Sequence, residues 1–365
     1  MRWLARTARA AWATAYSALN KAGALGLGKV ERGGIGLESD VFTLMEARRI
    51  PGPPLPLVIE PAKEGIDAVA WATAQRGPIR ELLLRHGGIL FRGFAGGSVE
   101  TFRGFIAAVS GEPLPYVEGT SPRHEVADRV YTSTDYPAHE RIPLHNELSY
   151  SNMWPLRLFF HCVVPPAGGG ATPVADSRKV YQRISQALRQ RLEERDYLYV
   201  RHYDPDIGLS WRKAFQTGDR AAVESYCADN DIELTWGAGE ELTTRQRRPV
   251  SAAHPETGEM TWFNHLTFFN VSTLDPMVAE ALLSMGMENL PNNTYYGDGA
   301  EIEPAALDEL RAAYEAEAVA IPWQEGDIMM LDNMLVSHGR EAYTPPRQIV
   351  VGMAEPWSRF ASNRR

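Results

Sequence analysis

In the segment RIPLHNELSY, residues 141–150, His145 and Glu147 stand two positions apart. On a strand that spacing points an imidazole and a carboxylate the same way, where both can grip one metal ion. Nine histidines and 46 acidic residues among 365 would give about one His-x-acid match by chance, the weakness of any short pattern. The chain has three. His202-Tyr203-Asp204 runs into Pro205, and His254-Pro255-Glu256 has proline at its centre with Thr257-Gly258 after it, so both read as loops or turns. Only His145 and Glu147 fall in a strand-like segment, with Leu144, Asn146 and Leu148 on the opposite face.

One imidazole and one carboxylate leave a metal under-held. A second histidine would complete the two-histidine, one-carboxylate face that leaves three positions open on non-haem Fe(II). His338, after the strand-like residues 327–332 and before Gly339-Arg340, is the stronger candidate. His265 competes with it; between Asn264 and Phe268-Phe269 it suits a ligand, a substrate contact or a core histidine. Arg347 follows His338 by nine residues, in Pro345-Pro346-Arg347-Gln348. Its planar fork binds a carboxylate bidentately and keeps its charge, which suits the far end of a dicarboxylic cosubstrate; the bland alternative is a surface arginine. Thr172, in Gly170-Ala171-Thr172-Pro173, offers a hydroxyl to the same carboxylate.

The elements that must position these residues alternate irregularly. The first thirty residues are basic and Ala-rich, with Leu4, Trp12, Tyr16 and Leu19 on one helical stripe, which suits a docking helix for a partner or an acidic surface or, more commonly, an extension folded back on the protein or forming an oligomer contact. Helical periodicity over 65–86 stops at Gly87-Gly88 and is followed by a strand over 89–94. A helix covers 99–109 and a strand 156–164, and Ser177 caps a helix through about residue 195. Further helices fall near 220–228, 276–287 and 304–318, a hairpin spans 250–270, and strands over 327–338 and 348–353 close the chain. Helices at intervals with strands at both ends predict a distorted β-sandwich carrying insertions, not a βαβ alternation. The expected organisation is an extension over 1–50, then a single domain over 51–365 with a helical insertion at about 176–320.

Composition narrows the class. Hydrophobic residues make up 44% and charged residues 23%, ordinary for a folded globular protein, and a net charge of −9 argues against nonspecific nucleic-acid binding. Two cysteines are too few for a disulfide framework or a thiolate cluster, which suits a reducing cytoplasm. No apolar run approaches a membrane span.

With His145, Glu147, Thr172, His338 and Arg347 in this order, the chain resembles the Fe(II)/2-oxoglutarate dioxygenases of the taurine dioxygenase (TauD/TfdA) superfamily over roughly residues 80–356. HGGILFRGF at 86–94, YTSTDYP at 131–137, GGGATPVADSRKVY at 168–181 and LDNMLVSHGREAYTPPR at 331–347 carry the rest of the likeness, nearest to the SyrP-like members and more distantly to asparagine oxygenase and clavaminate synthase. The resemblance implies a mainly β fold, a double-stranded β-helix or jelly roll flanked by helices. It implies iron on His145, Glu147 and His338, 2-oxoglutarate anchored by Arg347 and Thr172, and dioxygen as the oxidant. Val351 stands where taurine dioxygenase carries its sulfonate-binding arginine, so taurine is not the implied substrate. Glu147 fills the position that halogenases of the superfamily leave small, which argues against chlorination.

The implied substrate is an amino acid or amino-acid-derived unit of specialised metabolism, free or tethered to a peptidyl carrier protein. Arg123, Asp135, Asn146 and Asn264 are its candidate contacts, although alternation turns Asn146 away from the metal and Asp135 before Tyr136-Pro137 also suits a turn. Trp154, Trp211, Phe215, Trp262 and Phe263 suit an apolar wall or, more commonly, a core. Arg245, Arg247 and Arg248 suit either an acidic partner or a solvated face. Hydroxylation leads, with desaturation, epoxidation or ring closure as other outcomes of the same oxidant. A noncatalytic jelly-roll binding protein and a zinc hydrolase are the readings from other classes.

Overall fold

The computed structural model describes residues 47–50, 55–115, 124–134, 136–204, 209–284, 286–287 and 290–360. The candidate contacts Arg123 and Asp135, and the N-terminal stripe expected to be helical, lie outside the described residues.

The largest sheet has eight strands in the spatial order Ala47–Ile50, Leu57–Pro61, Gly88–Phe91, Ile328–Asp332, Met153–Val164, Gln348–Ser358, Val130–Thr132, Glu125–Ala127. Neighbours run antiparallel except Leu57–Pro61 beside Gly88–Phe91. The long central strand Met153–Val164 is buried on both faces, and its alternation shows why. Phe159 joins Phe102, Phe105 and Ile106 of the helix Val99–Ser110 on one side. Leu158, Phe160 and Cys162 join Val174, Val336 and Val351 on the other. Fully burying a side chain of this size stabilises by about 1.5–3 kcal/mol, so two covered faces make this strand the anchor of the fold.

A second sheet of three strands, Ile142–His145, Val336–Arg340 and Val174–Asp176, packs against that inner face. Residues 327–338, expected as one strand, are therefore two strands in different sheets. The break is chemical: the buried Asp332 carboxylate accepts from the N–H groups of Met334 and Leu335, at 3.0 and 3.1 Å, and closes a turn between them. None of the described sheets closes on itself.

Helical expectations need two further corrections. Residues 65–86 form two helices, Ala68–Ala74 and Arg76–His86, because Pro78 cannot donate to the carbonyl four residues back and its ring crowds it. The second ends at Gly87 in the left-handed region, φ 79°, as the sequence predicts. Asp176, not Ser177, caps the helix Ser177–Arg183, and the chain restarts at Ser185, whose hydroxyl accepts from the Leu188 N–H to cap Gln186–Arg195.

Residues 176–320 are less purely helical than expected, since they also hold a four-stranded sheet ordered Glu233–Trp236, Leu242–Arg248, Tyr197–Tyr203, Asn292–Tyr296. His202 lies within Tyr197–Tyr203 and not in a loop; its Nδ1 is 2.9 Å from the Thr243 hydroxyl. The aromatic run Tyr-Leu-Tyr-Val-Arg-His-Tyr favours a strand, and Pro205 acts only beyond its end. His254 does lie in the turn of a hairpin between Ser251–Ala253 and Met260–Trp262. No helix among the described residues is long and apolar enough to cross a membrane.

Candidate metal centre

His145 ends the strand Ile142–His145 and pairs directly across from His338 in Val336–Arg340. That register sets the two imidazoles side by side, ring centroids 4.5 Å apart. His145 Nδ1 lies 2.9 Å from the Pro143 carbonyl, so a proton placed there puts the lone pair on Nε2, the nitrogen suited to bind a cation. Gly339 beside His338 has no room for a side chain, because a Cβ would sit 2.6 Å from the Ile142 carbonyl oxygen.

Glu147 arrives differently from the strand geometry expected. The strand stops at His145, the chain turns, and Leu148 takes φ 55°. A side chain holds this turn where no ladder continues: Asn333 Oδ1 accepts from the Glu147 N–H at 2.8 Å, and Asn333 Nδ2 donates to the Glu147 carbonyl at 2.9 Å. The outcome is convergence all the same. One donor atom each from His145, Glu147 and His338 lies within 4.8 Å of the others, with His338 Nε2 3.9 Å from Glu147 Oε2.

The three open into a cavity of about 640 Å³, a figure that includes the open solvent at its mouth. Aromatic rings wall one side. Phe268 lies 4.7 Å from the His145 ring and Phe160 5.2 Å from the His338 ring, centroid to centroid. His265 shares this wall; its Nδ1 meets the Ser149 hydroxyl at 2.6 Å and its ring stacks on Phe269. Burial, with His145 nearby, holds His265 well below the usual imidazole range, so it stays neutral. It stands outside the converging donor set.

The other side is polar. Arg347 enters the cavity with its Nε donating to the Gly170 carbonyl at 3.0 Å and one terminal nitrogen 3.5 Å from the Ser133 hydroxyl. Among the described residues no carboxylate pairs with it, and burial, then the charge of Arg340, pushes it down to about 10. Arg340 itself is spent on structure, donating to the carbonyls of Tyr136, Pro137 and Glu140. Thr172 lines the same end, its hydroxyl accepting from the Trp323 indole at 3.2 Å, which leaves the hydroxyl proton to donate elsewhere.

Two candidate contacts do not face this space. Asn146 is fully buried and donates to the Ser177 hydroxyl and the Asn333 carbonyl. Asn264 donates to the Val250 carbonyl and accepts from the Leu266 N–H, which fixes a loop. Trp154, Trp211, Trp262 and Phe263 are core residues. Arg248 is buried against backbone carbonyls while Arg245 and Arg247 face outward, so strand alternation splits that cluster. The cavity residues passed over in the sequence are Ser133, Thr134, Ile142, Tyr150 and Phe160, the first two in the quoted YTSTDYP segment and the next two in RIPLHNELSY. Asn333 was also missed, although an Asp-Asn pair straight after a buried strand signals a side-chain-held turn.

The chain matches the family model for the taurine catabolism dioxygenase TauD, TfdA family over residues 51–354. It belongs to this family and is a dioxygenase that uses Fe(II), 2-oxoglutarate and dioxygen. It is 36% identical to the dapdiamide synthesis protein DdaC of Enterobacter agglomerans over 280 residues, 76% of this chain and 85% of that one. A clavaminate synthase-like protein of Arabidopsis thaliana is 31% identical over 321 residues, 83% of this chain and 94% of that one. In structure the chain is similar to PvcB of Pseudomonas aeruginosa, with a TM-score of 0.53 at 17% identity, covering 88% of this chain and 95% of PvcB. That likeness concerns the fold.

Proposed function

We propose that the chain is an oxygenase of specialised metabolism that hydroxylates an unactivated C–H bond of an amino acid or amino-acid-derived substrate, free or tethered to a carrier protein. One observation carries the oxygenase part of this reading: three donors of the right types converge at one edge of a cavity whose polar end presents a desolvated arginine with no carboxylate among the described residues. Two imidazoles and a carboxylate fit ferrous iron, and His145, Glu147 and His338 would hold it. Arg347 and Thr172 would hold the far carboxylate of 2-oxoglutarate through charge-assisted and neutral hydrogen bonds. When bound, iron and 2-oxoglutarate couple decarboxylation of the keto acid to succinate with transfer of one oxygen atom to the substrate.

The chain's own residues supply placement and dryness. Phe160 and Phe268 pack against the two imidazoles, restrict their rotation and keep water from that side. His265, neutral and braced by Ser149, offers a hydrogen-bonding edge to a substrate on the aromatic wall. We read the large sheet facing the three-stranded sheet as the two halves of a jelly roll, with residues 51–365 as one domain. The biosynthetic role draws support from DdaC, whose name places it in dapdiamide synthesis.

Anaerobic titration of the protein with Fe(II) and 2-oxoglutarate tests this reading. A weak visible charge-transfer band is expected, and Glu147→Ala should abolish both it and succinate formation. Folded wild-type protein that binds Fe(II) yet shows no band would sink the cosubstrate assignment.

A further inference from the structure

We infer that Asn333 is a positioning residue: its carboxamide aims Glu147 at the metal and ties that ligand to the strand that bears His338. The inference rests on the assignment of Glu147 as a metal ligand. Glu147 needs such a device because it stands beyond the end of its strand, where no ladder fixes its backbone. Asn333 supplies both halves of a substitute for a ladder pair, accepting from the Glu147 N–H at 2.8 Å and donating to its carbonyl at 2.9 Å. The same Nδ2 donates to the Pro155 carbonyl at 2.9 Å, which anchors the carboxamide to the central strand of the large sheet.

The backbone of Asn333 is held as firmly as its side chain. Its N–H donates to the Leu156 carbonyl at 2.9 Å, and its carbonyl accepts from Asn146 Nδ2 at 2.7 Å. Its neighbour Asp332 caps Met334 and Leu335 and so fixes the turn that leads into Val336–Arg340. One buried turn thus sets the start of the strand carrying His338 and, through Asn333, the direction of Glu147. Partners hydrogen-bonded to a metal ligand's side chain typically change metal affinity about 10- to 100-fold when removed, and a backbone clamp that sets the ligand's direction is expected to act on that order.

Apo-protein titrated with Co(II) tests this, read by the ligand-field spectrum and the dissociation constant, with circular dichroism and thermal melting to report the fold. Asn333→Ser should bind Co(II) about 10- to 100-fold more weakly and with shifted bands. Ser177→Ala removes a hydrogen bond to Asn146 without touching the Glu147 clamp and should bind as wild type does. Where Asn333→Ser does not fold, Asn333→Gln decides, because it keeps both functional groups one methylene farther out; a weaker Kd with shifted bands supports the inference. Unchanged affinity and spectrum in a folded variant overturns it, as does loss of fold in both variants, which makes Asn333 a structural residue only. Should Glu147→Ala bind Co(II) as wild type does, the ligand assignment fails and takes the inference with it. Sensitivity to Glu147→Ala with indifference to Asn333→Ser removes the positioning role alone.

Discussion

Arg157, fully buried, and Arg347, half-buried, are treated very differently by the fold. Arg157, 1% exposed, reaches Asp332 at 2.5 Å, Glu256 at 2.6 Å and Glu355 at 3.4 Å. Burial pulls its guanidinium down, but Asp332, Glu355 and Glu256 outweigh that and hold it above its ordinary value. Arg347 meets a carbonyl and a hydroxyl, and burial with the charge of Arg340 pushes it down to about 10. A buried cation is costly unless paired. Where the fold supplies the counter-charge, the arginine is a structural hub; where the described residues offer only neutral dipoles, an anion from outside has a reason to bind. Position in the sequence does not separate the two.

The sharpest way to break this contrast is Arg157→Leu, which leaves the buried Asp332 carboxylate beside an apolar side chain in place of its guanidinium. It should cost about 3–5 kcal/mol of stability, measured by urea unfolding, while the folded fraction keeps its 2-oxoglutarate affinity. Loss of affinity without loss of stability would reverse the roles assigned here. Asp332→Asn probes the same hub through pH. Burial pushes the Asp332 carboxyl up, Arg157 and then His254 outweigh it, and the group sits below its ordinary value of 3.8. A depressed carboxyl contributes stability above pH 3.8 that is lost as pH falls through the lower folded-state value. Asp332→Asn should therefore be less stable than wild type at pH 7, by about 3 kcal/mol, with the gap closing below about pH 4. A gap independent of pH would assign the loss to packing.

Arg347→Leu should do the opposite of Arg157→Leu. Stability should hold or rise slightly, while the dissociation constant for 2-oxoglutarate, read by the charge-transfer band, weakens on the order of 100-fold, as for two charge-assisted hydrogen bonds. A stability loss near that of Arg157→Leu would show that Arg347 is structural as well. Thr172→Val is the smallest change, removing one neutral hydrogen bond, and should weaken 2-oxoglutarate by about five- to tenfold. An effect as large as that of Arg347→Leu would mean that the Trp323 contact also shapes the cavity.

Local sequence located several elements well. Gly87 ends its helix as a left-handed cap, and the helices over 220–228 and 304–318 appear as Arg220–Asp229 and Pro304–Glu317. It failed where a side chain took over from the backbone. Asp332 splits one expected strand into two by capping a turn, and Asn333 lets Glu147 leave its strand without losing its aim. For the substrate side, alternation predicted that Asn146 points away from the metal, and it does, into hydrogen bonds with Ser177 and Asn333. Asn264 closes a local turn that spacing did not reveal.

By itself the sequence determined the inventory: two histidines, a glutamate, a threonine and an arginine in an order and context that name a chemistry, because ligand type and charge are properties of residues. Tertiary structure decided which of them meet. The pairing of His145 with His338 is a register between strands nearly two hundred residues apart, and the direction of Glu147 is set by a carboxamide on a third segment. It also decided that Arg157 is neutralised while Arg347 meets no carboxylate among the described residues, since counter-charges are delivered by packing, and packing depends on contacts that no local spacing encodes.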